Sequence, residues 1–348
     1  MPAITKPNLH FDATTYTGTG SALSVTNGGF QPDFVWIKSR AIVAGHGLVD
    51  SVRGRASVLY SNDTAAQGTS GSTQDVTAFN SNGFALGTNS QIESNTNAST
   101  YVAWQWKAGG AAVTNTSGTI SSQVSANPTA GFSVVTYTGN GTAGATIGHG
   151  IGVAPSMVIV KNRSAGGDSW QTYHIGSGAA YRLFLNSTGA RVSDPIGAWN
   201  SGTPTTTVFT AGSNNSVNGS GVNYVAYCWA PIEGYSAFGS FTGNGNANGP
   251  FVYTGFRPAF VMAKLSSATG DWNIVDDMRQ TYNDASGNPV LRANLTSVEE
   301  DVDTMQGQID LLSNGFKLRS NSSSLNASGG TIIYAAFAEA PQKYANAR

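Results

Sequence analysis

The feature that most constrains this 348-residue chain is an internal repeat in which short blocks recur three times in the same order. The first block reads YTGTG at 16–20, YTGNG at 137–141 and FTGNG at 241–245. The second places a proline six residues before a lysine, in FQPDFVWIK (30–38), VAPSMVIVK (153–161) and FRPAFVMAK (256–264). The third is Leu-x-x-Asn, with the asparagines at 62, 186 and 294. Such a chain is expected to fold as three related units.

Two further blocks complete each unit. An Asn-Gly turn leads into NGFAL (82–86) and NGFKL (314–318), whereas the middle unit has VFTAG (208–212) and lacks the turn. The closing block reads YVAWQW (101–106), YVAYCW (224–229) and YAAFAE (334–339). Gly/Asn/Ser/Thr clusters separate the blocks and are typical of turns, because Gly and Asn tolerate positive φ.

The blocks are typical of β-strands. MVIV (157–160) is a continuous apolar run rich in β-branched residues, as in a strand buried on both faces or within a sandwich core. The preceding proline suits a strand start. We interpret Lys38, Lys161 and Lys264 as exposed strand ends that discourage edge pairing. One segment, 297–312, has helical spacing of its apolar residues. This segment can form a short helix, although a strand or loop is favoured for its second half.

The sequence therefore predicts an all-β protein made of three tandem antiparallel β-sandwich repeats of the jelly-roll or lectin-like kind. The expected parts are an N-terminal arm (1–13), repeat 1 (14–109), a Gly/Ser/Thr linker (110–130), repeat 2 (131–234) and repeat 3 (235–348).

Composition excludes several function classes. Charged residues make up 11% and the net charge is −1, which disfavours nucleic-acid binding. The single Cys228 rules out an intrachain disulfide framework. No apolar run is long enough for a membrane helix, and residues 1–16 lack the pattern of a signal peptide. We therefore expect no nucleic-acid partner and no membrane insertion.

Candidate site residues are few. The four histidines show no metal-ligand spacing, and no nucleophile elbow is present, so we expect no enzyme activity, metal or cofactor, although a calcium ion is left open. An Asp-x-x-Arg pair recurs at Asp50 and at Asp276; a structural salt bridge is favoured over ligand binding, and catalysis is least favoured. Tryptophans that follow Gly-Asp are interpreted as core residues, with exposure at a hairpin as the alternative. The candidate ligand-binding residues are Asp168, Trp170, Asp271, Trp272, Asp276 and Arg279.

The repeated blocks resemble a family of tandem β-repeat virion structural proteins of tailed bacteriophages, often from aquatic hosts. The resemblance lies in TAGFSVVTYTGNG (129–141), GHGIGVAPSMVIVKNR (148–163), YVAYCWAPIEGYSAFGSFTGNG (224–245), GPFVYTGFRPAFVMAK (249–264) and the C-terminal 326–348. It covers nearly the whole chain after residue 14, and it implies no catalytic residues.

The resemblance implies a virion protein assembled in the bacterial cytoplasm. We expect a tail fibre or tail-associated appendage that attaches the phage to its host through surface glycan. The arm and repeat 1 would contact other virion proteins, and a homo-oligomer is expected. The alternative is a head decoration, a head fibre or a purely structural tail subunit. A glycan depolymerase that uses Asp271 or Asp276 is the least favoured function.

Overall fold

The computed structural model describes residues 4–279, 283, 289–299 and 309–339. Nearly all regular structure in these residues is β, in six antiparallel sheets. This confirms the predicted all-β sandwich class. Only a 3₁₀ turn at Pro7–Leu9 and one short helix, α1 (Asn215–Asn218), interrupt the strands of the described ranges.

The first unit combines a large and a small sheet. Its strands are β1 (Phe11–Thr17), β2 (Leu23–Thr26), β3 (Phe34–Ser39), β4 (Gly47–Asp50), β5 (Ser57–Tyr60), β6 (Gly68–Thr69), β7 (Val76–Asn80), β8 (Gly83–Leu86) and β9 (Thr100–Trp106). The large sheet has the order β1-β9-β3-β4-β5-β6, and the small sheet has the order β2-β8-β7.

The second unit repeats this plan with two added strands. Its strands are β10 (Val113–Asn115), β11 (Ser122–Asn127), β12 (Phe132–Thr138), β13 (Ala145–Gly148), β14 (Met157–Asn162), β15 (Gln171–His174), β16 (Tyr181–Phe184), β17 (Val192–Ser193), β18 (Val208–Ala211) and β19 (Asn223–Trp229). The large sheet runs β10-β11-β12-β19-β14-β15-β16-β17, and β13 pairs with β18. The added strands β10 and β11 come from the segment that the sequence predicted to be a linker.

The third unit is the smallest in its described part. Its strands are β20 (Ser236–Thr242), β21 (Phe251–Tyr253), β22 (Phe260–Leu265), β23 (Trp272–Asp276), β24 (Leu291–Arg292), β25 (Ile309–Leu312), β26 (Gly315–Leu318) and β27 (Thr331–Phe337). The large sheet runs β20-β27-β22-β23-β24, and the small sheet runs β21-β26-β25. Of the candidate helix, residues 300–308 lie outside the described ranges, and its last four residues form the strand β25.

The central strands β3, β14 and β22 of the large sheets are buried on both faces, which explains the continuous apolar runs. On β3, Phe34 and Trp36 enter a central core, whereas Val35 and Ile37 pack toward the small sheet of the same unit. The same alternation holds on β14 and on β22. Successive side chains of a strand point to opposite faces, so a strand between two cores has no polar face.

The central core joins all three units into one body. Its equivalent positions include Trp106, Trp229 and Phe337, each at the end of the closing strand. The Trp106 ring lies 6.0 Å from that of Trp229 and 5.6 Å from that of Phe337. The cavity that remains among these apolar side chains measures only ≈ 10 Å³. The units are therefore packed around a shared aromatic centre and not strung along a line.

Strand pairing corrects the alignment of the closing block in the third unit. Phe34 pairs with Trp106, Met157 with Trp229, and Phe260 with Phe337. The residue equivalent to Tyr101 and Tyr224 is therefore Ile332, and the sequence alignment on Tyr334 was wrong by two residues. A shift of two keeps the alternation of faces, so the pattern alone did not reveal the error.

The glycines of the first block serve close packing. A Cβ on Gly18, Gly139 or Gly243 would lie 2.3, 2.4 or 2.3 Å from a backbone carbonyl oxygen of the loop before the closing strand. The second glycine of each copy has a positive φ, at +71°, +72° and +65°. Only glycine suits both positions, and this explains why the pair recurs between strands.

The N-terminal segment joins the core instead of projecting from it. Strand β1 begins at Phe11, inside the predicted arm, and Phe11 stacks on Phe337 at 5.4 Å. Ile4 is also buried in the central core. The described part of the arm is therefore packed between the first and third units.

Candidate functional site

The two tryptophans predicted for ligand contact lie between units. Trp170 and Trp272 are buried, with exposed fractions of 0% and 1%. The indole Nε1 of Trp170 donates to the backbone oxygen of Tyr60 at 2.7 Å. That of Trp272 donates to the backbone oxygen of Phe184 at 2.9 Å. The favoured interpretation of these tryptophans as core residues is therefore correct, and the alternative of exposure at a hairpin is not found, because each ring is covered by the preceding unit. A buried ring cannot stack on a ligand.

The Leu-x-x-Asn block holds these tryptophans in place. Asn186 Oδ1 accepts a hydrogen bond from the backbone N–H of Trp170 at 2.9 Å. Asn294 does the same for Trp272 at 2.8 Å. In the first unit, Asn62 accepts from the backbone of His46, also at 2.8 Å. His46 therefore occupies the position of the tryptophans.

His46 is a neutral core residue. Its Nδ1 accepts a hydrogen bond from Trp36 Nε1 at 2.9 Å. Burial, and then the nearby Lys38 cation, hold its pKa well below the usual range.

The predicted Asp276–Arg279 pair is a buried bridge that another unit completes. Arg279 Nε lies 2.7 Å from Asp276 Oδ2, and both side chains have no exposed surface. Trp104 of the first unit donates to the same oxygen at 3.0 Å. A buried ion pair is tolerated when further hydrogen bonds satisfy it, as here.

The equivalent positions in the other units contact their own neighbours. Asp50 pairs with Arg53 and accepts a hydrogen bond from the Tyr227 hydroxyl of the second unit at 2.8 Å. His174 of the second unit contacts the backbone oxygen of Tyr334 in the third at 3.0 Å. The contacts thus run from the first unit to the second, the second to the third, and the third to the first. The three interfaces form a closed ring.

The remaining two predicted site residues, Asp168 and Asp271, lie at the edges of these interfaces. Asp168 and Asp271 are half-buried. Asp168 accepts from Asn162 Nδ2 at 2.6 Å, and Asp271 accepts from Asn294 Nδ2 at 2.7 Å. Their carboxylates thus fix the loops that precede the buried tryptophans. The six predicted residues are brought to equivalent interfaces and not to one pocket.

The interpretation of the strand lysines as exposed ends was wrong. Lys38, Lys161 and Lys264 are buried, with exposed fractions of 1%, 0% and 0%. Each ammonium reaches a threonine carbonyl of another unit. The Nζ–O distances are 3.4 Å from Lys38 to Thr296, 3.0 Å from Lys161 to Thr64, and 3.0 Å from Lys264 to Thr188. Burial lowers the pKa of all three to about 8.

A signal for these contacts was present in the sequence. Each receiving threonine stands two residues after the asparagine of the Leu-x-x-Asn block. The same carbonyls also accept a backbone N–H, from Ala44, Gly167 and Gly270 at 3.0, 3.0 and 2.9 Å. The recurrence of a lysine and a threonine at equivalent positions of the three repeats was therefore the sequence signal for contacts between repeats.

Solvent-exposed aromatic residues occur elsewhere, on the small sheet of the third unit. Phe251 and Tyr253 are exposed by 45% and 66% on β21. They are two residues apart, so both side chains lie on the outer face of this edge strand. The strand pairings place Ser24 and Thr26 of the first unit at the equivalent positions. The outer face of the third unit thus carries an aromatic pair where the first unit has a serine and a threonine.

The described ranges hold neither a metal-binding cluster nor a membrane-spanning helix. Within them no group of three or more His, Cys, Asp or Glu residues could hold a metal ion. No helix in the same ranges has the length and apolar character to cross a membrane.

A family model described as a domain of unknown function (DUF7483) matches residues 6–341. The chain belongs to this family. No curated protein and no solved structure matches the chain. The match spans all three units, so the DUF7483 domain corresponds to the whole ring and not to one repeat.

Proposed function

We propose that this chain is a non-enzymatic structural protein of a bacteriophage particle, a tail fibre or tail-associated appendage that helps to attach the phage to host surface glycan. The observation that carries the proposal is the closed ring of interfaces around one aromatic core. The polar and charged residues that could have formed a catalytic centre are used for contacts between units.

The ring is a rigid support for surface loops. Hydrogen bonds from Lys161 and Trp170 tie the second unit to the first, and those from Lys264 and Trp272 tie the third unit to the second. Trp104 ties the first unit to the third through Asp276. Networks in which the polar groups are satisfied specify a single arrangement of the elements they join. The resemblance of the repeated blocks to phage virion proteins gives this support its place in the particle.

The exposed pair Phe251 and Tyr253 supports an attachment role. Aromatic rings contact the apolar faces of sugars, and weak single contacts become strong when many copies act together. This surface takes over the role that the sequence assigned to Trp170 and Trp272.

A head decoration is the second candidate, and one observation favours it. Ile4 and Phe11 are buried in the central core, so the described part of the arm is not free to lock into a neighbouring protein. A ring that completes its own core suits a subunit placed singly on a particle surface.

Antibody labelling of intact particles tests the proposal. Label at the tail tip supports the attachment role. Label spread over the head supports decoration and excludes a tail fibre. Unlabelled particles, with the protein found only in lysates of infected cells, would overturn a virion role altogether.

A further inference from the structure

Two of the three interfaces place an arginine at the same position but differ in the charge of the side chain that it contacts. Where the first and third units meet, Arg40 forms a two-pronged ion pair with Glu299, at 2.7 and 2.9 Å. Where the second and first units meet, the equivalent pair is Arg163 and Gln67, with Nε–Oε1 at 2.7 Å. The backbone contacts match, since Glu299 donates to the oxygen of Arg40 at 2.9 Å and Gln67 to that of Arg163 at 3.1 Å. A neutral amide has replaced the carboxylate.

The Arg163 guanidinium therefore keeps an unneutralised charge. Among the described residues, no carboxylate forms an ion pair with it, and its two Nη atoms have no hydrogen-bond acceptor. Burial and the nearby Arg53 cation lower its pKa by more than the Asp50 carboxylate raises it, so the site disfavours this cation and a bound anion would relieve the cost. Arginine forks bind carboxylate and phosphate groups in matching geometry.

Arg163 lines a hollow in the second unit, where two added strands extend the large sheet. Strand β11 pairs beside β12, with Gln123 opposite Thr136, and the added strands build one wall. In the first and third units, β1 and β20 stand at the sheet edge, so this wall is missing from their described strands. The hollow has a volume of ≈ 230 Å³. This is below the roughly 300–1,000 Å³ of drug-sized pockets and suits a group of monosaccharide size.

The lining is rich in neutral hydrogen-bonding groups. Besides Arg163 it includes Ser121, Gln123, Thr136, Thr138 and Asn223. Thr138 donates to Asn223 Oδ1 at 2.9 Å, which leaves the Asn223 amide nitrogen without an acceptor among the described residues. Hydroxyl and amide groups around one cation match a ligand with several hydroxyls and one negative charge.

We propose that this hollow binds an acidic sugar residue of the uronic acid class, with the sugar carboxylate on Arg163 and the ring hydroxyls on the threonine, glutamine and asparagine side chains. The proposal rests on the glycan-attachment role and names the class of glycan.

Titration of the full chain with monosaccharides, followed by calorimetry or by NMR shifts, tests the site. Glucuronate is expected to bind saturably, glucose far more weakly, and added salt is expected to weaken glucuronate binding. Arg163→Gln should reduce glucuronate affinity about tenfold or more, because a charged hydrogen bond is lost. Arg163→Lys should retain part of it.

Two controls separate binding from folding. Gln123→Ala, at an exposed position of the wall, should weaken binding without changing the unfolding temperature. Arg40→Gln, at the paired interface, should lower stability and leave glucuronate affinity unchanged.

Inorganic phosphate distinguishes a sugar site from a simple anion site. Phosphate binding as tight as glucuronate would overturn the sugar assignment, and so would an unchanged affinity in Arg163→Gln. Failure of glucuronate to bind would overturn this inference. It would not affect the proposed virion role, which the antibody labelling tests independently. Conversely, unlabelled particles would refute the virion role and leave the titration result standing.

Discussion

The inner and outer surfaces of the three units have diverged to different degrees. At the centre, Trp106, Trp229 and Phe337 keep a large aromatic side chain at one position. On the outer small sheets, the position of Ser24 in the first unit is taken by Phe251 in the third. Large apolar residues of the central core are retained between repeats, whereas the solvent-facing residues of the small sheets vary. The centre thus determines folding, and the periphery is where recognition can differ.

The largest loss of stability is expected when a large side chain of the central core is truncated. Trp106→Ala should lower the free energy of unfolding by about 3–5 kcal/mol, because a buried aromatic side chain is lost and a cavity remains. Denaturant unfolding measures this, with Ser24→Ala as a control on the outer sheet that should change stability by at most about 0.5 kcal/mol. Equal losses for the two variants would contradict the division between centre and periphery.

Breaking the buried bridge should cost nearly as much. Asp276→Ala removes the carboxylate that accepts from Arg279 Nε and from Trp104, and leaves the buried guanidinium with Glu299 as its other ion-pair partner. Removing one partner of a buried ion pair costs about 3–5 kcal/mol, and Glu299 should hold the loss at the lower end of this range. The double variant Asp276→Ala/Arg279→Met should recover part of this loss, because the buried cation that lost a partner is gone. A double variant as unstable as the single one would show that the pair is not the source of the effect.

Protonation of His174 should destabilise the ring in mild acid. Burial lowers its pKa from 6.5 to about 4, and its Nδ1 accepts a hydrogen bond from Gly176 N–H at 3.1 Å. Between these two values the unfolded chain binds more protons than the folded one, so stability falls as the pH falls. The full loss corresponds to about 3 kcal/mol.

The variant His174→Gln isolates the contribution of His174 protonation to the free energy of unfolding. Glutamine can still donate to the Tyr334 carbonyl but does not titrate, so the stability difference between the two proteins should change between about pH 6.5 and 4. Other groups, such as Asp277 with a pKa raised to about 6 by burial, contribute equally to both and cancel. A difference that stays constant across this range would disprove the role of His174.

The sequence predicted the strands well and the interfaces poorly, for a physical reason. Alternation along β3 and β14 reports burial on two faces, and short turns report strand ends. Which surface covers a strand is decided by contacts over long sequence distances. Lys161 therefore looked like an exposed end, although Thr64 of another unit covers it. The tryptophans were assigned to the core correctly. Their partners across the interfaces could be inferred only from the polar residues that recur at equivalent positions of the repeats.

The smallest change in stability is expected on the outer sheet of the third unit. Phe251→Ser together with Tyr253→Thr installs the residues of the first unit on β21. Both side chains are exposed, so the free energy of unfolding should change by about 0.5 kcal/mol or less per site. Binding of the multimerised protein to host cells should nevertheless fall, because the aromatic contact area is gone. A second variant adds Ser24→Phe and Thr26→Tyr to this double variant. It keeps the number of exposed aromatic side chains and moves them from the third unit to the first. Binding restored by that exchange would show that any aromatic patch suffices, whereas binding that stays lost would place recognition on the third unit.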